Sequence, residues 1–165
     1  TDNQNGTHPF DQDDAAITVI ANVEEATAVN AAQRGLATAA TQMRIMDLVN
    51  APSNIKTPQV MARWAVDSAK KYGYKATIWD KAQIEEAQMG ALLAVNRGSE
   101  YPPSLIIMEY KSSEATQTVG IVGKGVTFDT GGLSIKSSTN MHFMKSDMGG
   151  AAAVLGTMEL VAKLK

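Results

Sequence analysis

Val122-Gly123-Lys124-Gly125-Val126-Thr127-Phe128-Asp129-Thr130-Gly131-Gly132-Leu133-Ser134-Ile135-Lys136 is the stretch that decides how this chain is read. An apolar run ends in Gly-Lys-Gly, and Asp129 follows at the mouth of a glycine-rich turn. Lys136 then returns toward it, and Asp147 stands just before Gly149-Gly150 and a helix-like tail. Glycine lets backbone turn tightly and approach a ligand closely. Asp129 is expected where a buried strand runs out, the edge at which α/β sheets commonly place ligands. A carboxylate can bridge two cations, and oxygen-rich donors suit Mg, Mn and Zn. A lysine ligates a metal only when neutral, which takes a nearby cation or strong desolvation. One that keeps its charge stabilises an oxyanion instead. Lysines and aspartates among glycines ordinarily belong to solvated loops, and Lys124 or Asp129 alone would be read that way. The ordered set of two lysines, two aspartates and paired glycines points instead to a metal site with an electrophilic lysine.

Competing motifs fail. Gly123-Lys124-Gly125 is no phosphate-binding loop, because no Ser or Thr follows the lysine and the upstream glycine is missing. A dinucleotide fingerprint needs a glycine where Phe128 stands. His142 has no second histidine nearby, the other being His8, and reads as a loop residue. Met141, Met144 and Met148 suit adaptable packing, although Met144 is also placed to line a pocket for an apolar side chain. Trp64 and Trp79 read as core residues.

Working outward, strands alternate with helices, which argues for a layered α/β domain. Residues 1–16 are polar loop, and Ile17 to Ile20 is a short strand candidate. The Ala-rich run from Val23 to Val49 carries Val29, Leu36, Ala40, Met43 and Met46 at roughly helical spacing. Pro52 ends that helix, since a residue before proline avoids the helical region. Thr57 and Pro58 open the next helix as cap and first residue, Val60, Met61, Trp64 and Ala65 form its apolar face, and Gly73 stops it. A strand follows from Tyr74 to Trp79. Asp80 to Gln83 then forms a capping box that opens a helix running through Met89 and ending at Gly90. Ser104 to Tyr110 and Thr118 to Val122 read as buried strands, paired antiparallel across a polar link. A last helix from about Gly149 to Leu164 shows Ala151, Val154, Leu155, Met158 and Ala162 on one side.

The 165 residues, 44% of them hydrophobic, suffice for one domain with a sizeable core. A formal charge of −2 argues against nucleic acid or an anionic membrane as partner. With no cysteine, any metal must be held by oxygen or nitrogen. No apolar run approaches the roughly 20 residues that span a bilayer. The first residues lack both an initiator Met and a signal-peptide pattern, as a processed or cut end would.

The segment from Val122 to Lys136, followed by Met144-Lys145-Ser146-Asp147-Met148-Gly149-Gly150, closely resembles the leucyl aminopeptidase family, the two-metal cytosol aminopeptidases. Weaker likeness runs through Leu48-Val49-Asn50-Ala51-Pro52-Ser53-Asn54-Ile55-Lys56-Thr57-Pro58, so the resemblance covers most of the chain from about Val23. It implies an α/β fold, a partial three-layer helix-sheet-helix catalytic domain preceded by a long connecting helix. Residues 1–22 would be the tail of an N-terminal domain or linker, 23–48 the connecting helix and 49–165 the first part of the catalytic domain.

The resemblance implies roles as well. Lys124 matches a lysine that ligates one metal, Asp129 the carboxylate shared by both metals, and Asp147 an aspartate on the same metal as the lysine. Lys136 matches the lysine that polarises the scissile carbonyl, and Met144 a residue of the pocket for the substrate's first side chain. The implied cofactors are two divalent metal ions, Zn or Mn, with Mg or Co as alternatives. The implied reaction is release of a peptide's N-terminal residue by metal-activated water, in the cytoplasm, by a homo-hexamer when the enzyme is whole.

The family's second motif, Asn-Thr-Asp-Ala-Glu-Gly-Arg, brings further ligands and does not occur in this sequence. The chain is therefore expected to be a middle segment that lacks the C-terminal half of the catalytic domain. Alone it should bind metal weakly and turn over peptide poorly, leaving an open sheet edge and apolar surface. The alternative is a non-catalytic assembly or binding module that retains an incomplete metal half-site.

Overall fold

The structure, a computed structural model, describes residues 18–165. The chain falls into two units divided between Ala32 and Gln33. The first contributes the opening turns of α1 (Glu25–Asn50), and the second holds the elements that position the candidate site.

Alanine costs a helix least, and α1 follows the Ala-rich run, stopping two residues before Pro52. Its buried face is not the expected one. Leu36 and Met46 are 70% and 60% exposed, whereas Thr41 and Leu48 are buried and Ile45 packs on the core. The partner helix explains the choice. In α5 (Gly149–Leu164), Gly156 presents no side chain toward Ile45, and Glu159 receives the Thr41 hydroxyl.

Helix α2 (Pro58–Tyr72) is capped as its sequence predicts. The Thr57 side chain accepts from the Val60 amide, and Gly73, in the left-handed region at φ 76°, donates to the Ala69 carbonyl. Met61 and Ala65 face inward, Trp64 is half-buried against the core, and Val60 is exposed. Strand β1 (Lys75–Trp79) leads to α3 (Lys81–Glu86), where the Asp80–Gln83 capping box is complete in both directions. That helix does not run on to Met89. Gln88 adopts φ 55°, which breaks it, and Gly90 begins α4 (Gly90–Asn96) instead of ending α3.

Strand β2 (Leu105–Glu109) pairs antiparallel with β1, from Lys75 opposite Glu109 to Trp79 opposite Leu105. A salt bridge of 2.8 Å joins Lys75 to Glu109 across the first pair. The expected pairing of β2 with residues 118–122 does not occur. Those residues form no strand, and Val119 and Val122 are 81% and 98% exposed. A run of β-forming residues becomes a strand only where a neighbour completes the ladder, and among the described residues no strand pairs with 118–122. Thr18 to Ile20 likewise form no strand, while Ile17 and residues 1–16 lie outside the described residues.

Two residues of β2, Ile106 and Met108, share one face by the two-residue period of a strand. They pack against the core of Leu48, Met61, Ala65, Met148, Ala152 and Leu155. Trp79 is half-buried at the end of β1. The α/β class expected from the sequence is thus observed, with a two-stranded sheet among the described residues. No described helix is long and apolar enough to cross a membrane.

A polar cluster pins the helices together. Glu159 of α5 is fully buried and accepts from Ser68 Oγ of α2 at 2.8 Å and from Thr41 Oγ1 of α1 at 3.2 Å. Its carboxylate also pairs with Arg44, and with Lys163 one helical turn on at 2.7 Å. Lys163 Nζ in turn donates to Thr41 Oγ1 at 2.8 Å, and the Arg44 guanidinium lies 4.7 Å from the Trp64 ring centre. Burial opposes the Glu159 charge, but the hydrogen bonds from Lys163 and Ser68 and the Arg44 charge outweigh it and hold its pKa below the usual glutamate value.

Candidate functional site

The segment carrying Lys124 lies directly on the start of α5. The Ala151 amide donates to the Lys124 carbonyl at 2.8 Å. A Cβ placed on Gly123 would fall 2.4 Å from the Gly150 carbonyl oxygen, and one on Gly150 would fall 2.9 Å from the Lys124 nitrogen. Only two glycines facing each other allow this approach. It brings Lys124 over Asp147, which closes the 3-10 turn Met141–Ser146 one residue before the buried Met148. Lys124 Nζ donates to Asp147 Oδ1 at 2.8 Å and stands 2.6 Å from Oδ2.

The second pair is built by the turn. Asp129 Oδ1 accepts from the Gly131 amide at 2.9 Å, and the Lys136 amide donates to the Thr130 carbonyl at 2.9 Å. Gly131 sits at φ 89°, with its Cα facing the Ser134 carbonyl, so that a Cβ there would lie 2.4 Å from that oxygen. The closed turn leaves Lys136 Nζ 3.1 Å from Asp129 Oδ2. The Gly131 amide first, and then Lys136, hold the Asp129 carboxyl below the ordinary aspartate range, and the Lys124 charge acts in the same direction.

The four residues singled out in the sequence thus stand as two Lys–Asp pairs. Met144 is half-buried on the 3-10 turn, and its carbonyl accepts from the Asp147 amide at 3.2 Å. His142 is on that turn rather than in a loop, exposed and tilted against Phe143 with 4.1 Å between ring centres. Among the described residues no three His, Cys, Asp or Glu side chains converge in the manner of a metal cage.

One atom bears on whether a cation suits the residues present. Asp147 Oδ2 is buried, and its charge partner is the Lys124 ammonium 2.6 Å away. A buried carboxylate needs positive charge beside it; the ammonium supplies it here, and a divalent cation held by the same carboxylate and amine donors would supply it as well. Lys124, Asp129 and Asp147 therefore fit as part of a divalent-metal ligand set.

Sequence reasoning missed the two lysines beneath this site. Lys56 is completely buried, and its ammonium donates to the carbonyls of Val49, at 3.0 Å, and Lys145. Burial, with the Lys145 charge close by, pulls its pKa below the ordinary lysine value. Lys145 Nζ donates to the Asn50 carbonyl at 2.8 Å. No sequence signal separates Lys56 from a solvated loop lysine, since Ser53-Asn54-Ile55-Lys56-Thr57 has a turn's composition.

With this geometry in place, the chain compares clearly with known proteins. The profile of the cytosol aminopeptidase family, catalytic domain, matches residues 43–165. A probable cytosol aminopeptidase of Chloroherpeton thalassium is 51% identical over 81% of this chain, which spans 26% of that protein. One from Bacillus licheniformis is 50% identical over 72% of the chain, which spans 24% of it. Among solved structures, the bottromycin maturation enzyme BotP in complex with Mn superposes on 86% of this chain and 30% of its own, with a TM-score of 0.78 and 40% identity. A leucine aminopeptidase of Caenorhabditis elegans covers 86% of this chain and 28% of its own, with a TM-score of 0.73 and 30% identity. The fold and the match together define a peptidase-type catalytic segment. The chain belongs to the cytosol aminopeptidase family. It spans about a quarter of the length of the curated relatives it matches.

Proposed function

We propose that this chain supplies the first metal-ligand set and the electrophilic lysine of a metal-dependent aminopeptidase that removes leucine-type residues from peptide N-termini. The observation that carries this is the pairing of Lys124 with Asp147 and of Lys136 with Asp129 on one glycine-rich scaffold. Lys124, Asp129 and Asp147 would hold metal, with Asp129 shared between two ions. Two divalent cations, Zn or Mn with Mg or Co as alternatives, supply Lewis-acid activation of water and of the peptide carbonyl when bound. The Mn in the BotP structure supports a metal in this family's fold.

The chain's own groups do the rest. Lys136 presents its side-chain amine as a hydrogen-bond donor to the negative charge that develops on the scissile carbonyl oxygen. Met144 lines the pocket for the substrate's first side chain, where its unbranched thioether adapts to an apolar group. The remaining ligands come from the part of the family's catalytic domain beyond this segment. The whole enzyme is read as cytoplasmic and homo-hexameric.

The test is hydrolysis of Leu-p-nitroanilide with Mn²⁺, run on the whole protein and on the 165-residue chain. Activity of the whole protein that is lost in Asp147→Asn, with an inert chain alone, supports the reading. Hydrolysis by the chain alone overturns the assignment of an incomplete site. Absence of both activity and metal uptake in the whole protein favours a non-catalytic module.

A further inference from the structure

We propose that Lys56 is a positioning residue for the Asp147 carboxylate, bolting the turn that carries it to the C-terminal end of α1. The last carbonyls of a helix have no partner within it, and this end carries partial negative charge that attracts cations. Helix α1 has no basic residue of its own in its last turn. Two lysines from elsewhere fill that role. Lys56 Nζ reaches the Val49 carbonyl at 3.0 Å, and Lys145 Nζ reaches the Asn50 carbonyl at 2.8 Å.

The two contacts interlock. The Lys56 ammonium also donates to the carbonyl of Lys145, so the same cation grips the helix end and the 3-10 turn, across 89 residues of sequence. Lys145 lies two residues before Asp147, and the Asp147 amide is itself hydrogen-bonded within the turn to the Met144 carbonyl. Lys56 is wholly inaccessible to water, and among the described residues no carboxylate pairs with it. Burying an ammonium against carbonyl oxygens alone is costly. The cost is intelligible if the cation holds the turn in place, because a ligand carboxylate must keep its position within a fraction of an ångström. Groups behind a ligand typically change metal affinity 10- to 100-fold.

This inference rests on reading Asp147 as a metal ligand, and its test separates the two. Mn²⁺ affinity of the whole protein is measured by electron paramagnetic resonance of the free ion, alongside amide hydrogen exchange of residues 141–148. Lys56→Met keeps the length of the chain and removes the donors. It should weaken Mn²⁺ binding about tenfold and speed exchange in 141–148, while exchange in α2 stays unchanged. If Asp147→Asn weakens Mn²⁺ binding and Lys56→Met does not, the positioning role is overturned. If Asp147→Asn has no effect, the metal reading fails, and exchange alone then decides: unchanged protection of 141–148 in Lys56→Met overturns the bolt, and faster exchange supports it. Should Lys56→Met fail to fold, Lys145→Met, which deletes only the contact with Asn50, must show the same loss of affinity and protection. Unchanged values in that variant sink the proposal.

Discussion

Lys124 and Asp147, 23 residues apart in sequence, meet because Gly123 and Gly150 let two backbones touch. The carboxylate lies at the end of a 3-10 turn and the lysine on an irregular segment, so neither element would aim its side chain at the other without that contact. The consequence is testable at Gly123. A methyl group there meets the Gly150 carbonyl at 2.4 Å, and the obstacle is backbone, which cannot swing aside. Gly123→Ala should therefore cost about 1–3 kcal/mol of stability, measured by urea unfolding. It should also weaken Mn²⁺ binding by parting the two ligands. Wild-type values for both would show that the approach is looser than described.

Glu159 governs how stability responds to acid. Its pKa in the folded chain is held below its ordinary value, because the contacts of Lys163, Ser68 and Arg44 outweigh the effect of burial. Through the pH range between the two values the unfolded chain binds the proton more readily, so stability rises with pH there. The contribution is complete above the ordinary glutamate value of 4.5 and is lost as pH falls through the lower folded value. Glu159→Gln should remove this acid-side slope. It should also destabilise by about 3 kcal/mol at neutral pH, because Lys163 and Arg44 are left without their carboxylate. Urea unfolding of both proteins at several pH values between 3 and 7 (about the range in which carboxylates titrate) checks both outcomes. A slope that persists in Glu159→Gln would assign it to other carboxylates.

Local signals were legible in the sequence. Thr57, Pro58 and Gly73 frame α2, and Asp80 with Gln83 caps α3, because each acts on backbone within a few residues. The span of α5 could also be read, and a motif of lysines, aspartates and glycines singled out the four residues that the structure joins as two pairs. What could not be read depends on partners far away in sequence. The exposed stripe of α1 carries Leu36, Met43 and Met46, comparable in size to Ile45 and Leu48 on its inner face, yet α5 selects Thr41 and Ile45 because Gly156 and Glu159 face them. Residues 118–122 have strand composition, but among the described residues no neighbouring strand completes a ladder with them. Gln88 breaks α3 through a positive φ that its residue type does not announce. Lys56 is hidden for the same reason, since its burial is created by the turn that carries Lys145.

Lys136 and the ligands should separate in kinetics. In the proposed roles Lys136 acts on developing charge, whereas Asp147 holds the metal. Lys136→Met in the whole protein should lower kcat for Leu-p-nitroanilide by about 10²–10³ and leave Mn²⁺ affinity within about threefold of wild type, since only the ion pair with Asp129 is lost. Asp147→Asn should reduce affinity first. If Lys136→Met instead abolishes metal binding at unchanged kcat on the remaining loaded enzyme, the two roles have been assigned the wrong way round.

The surface of the segment predicts association. Val119, Val122, Leu133 and Ile135 are each at least 72% exposed, all of them on the irregular stretches that carry Lys124 and Lys136. Among the described residues β2 is paired on one side only, by β1. Exposed apolar groups and an open strand edge each promote contact with other chains. We expect the 165-residue chain on its own to aggregate, or to assemble with a complementary segment of the catalytic domain. Light scattering across a concentration series checks this. Val122→Ser combined with Leu133→Ser should reduce association without changing helix content by circular dichroism, because neither side chain contributes to the core. A monodisperse monomer of the unmodified chain at every concentration would show that this surface is tolerated in water.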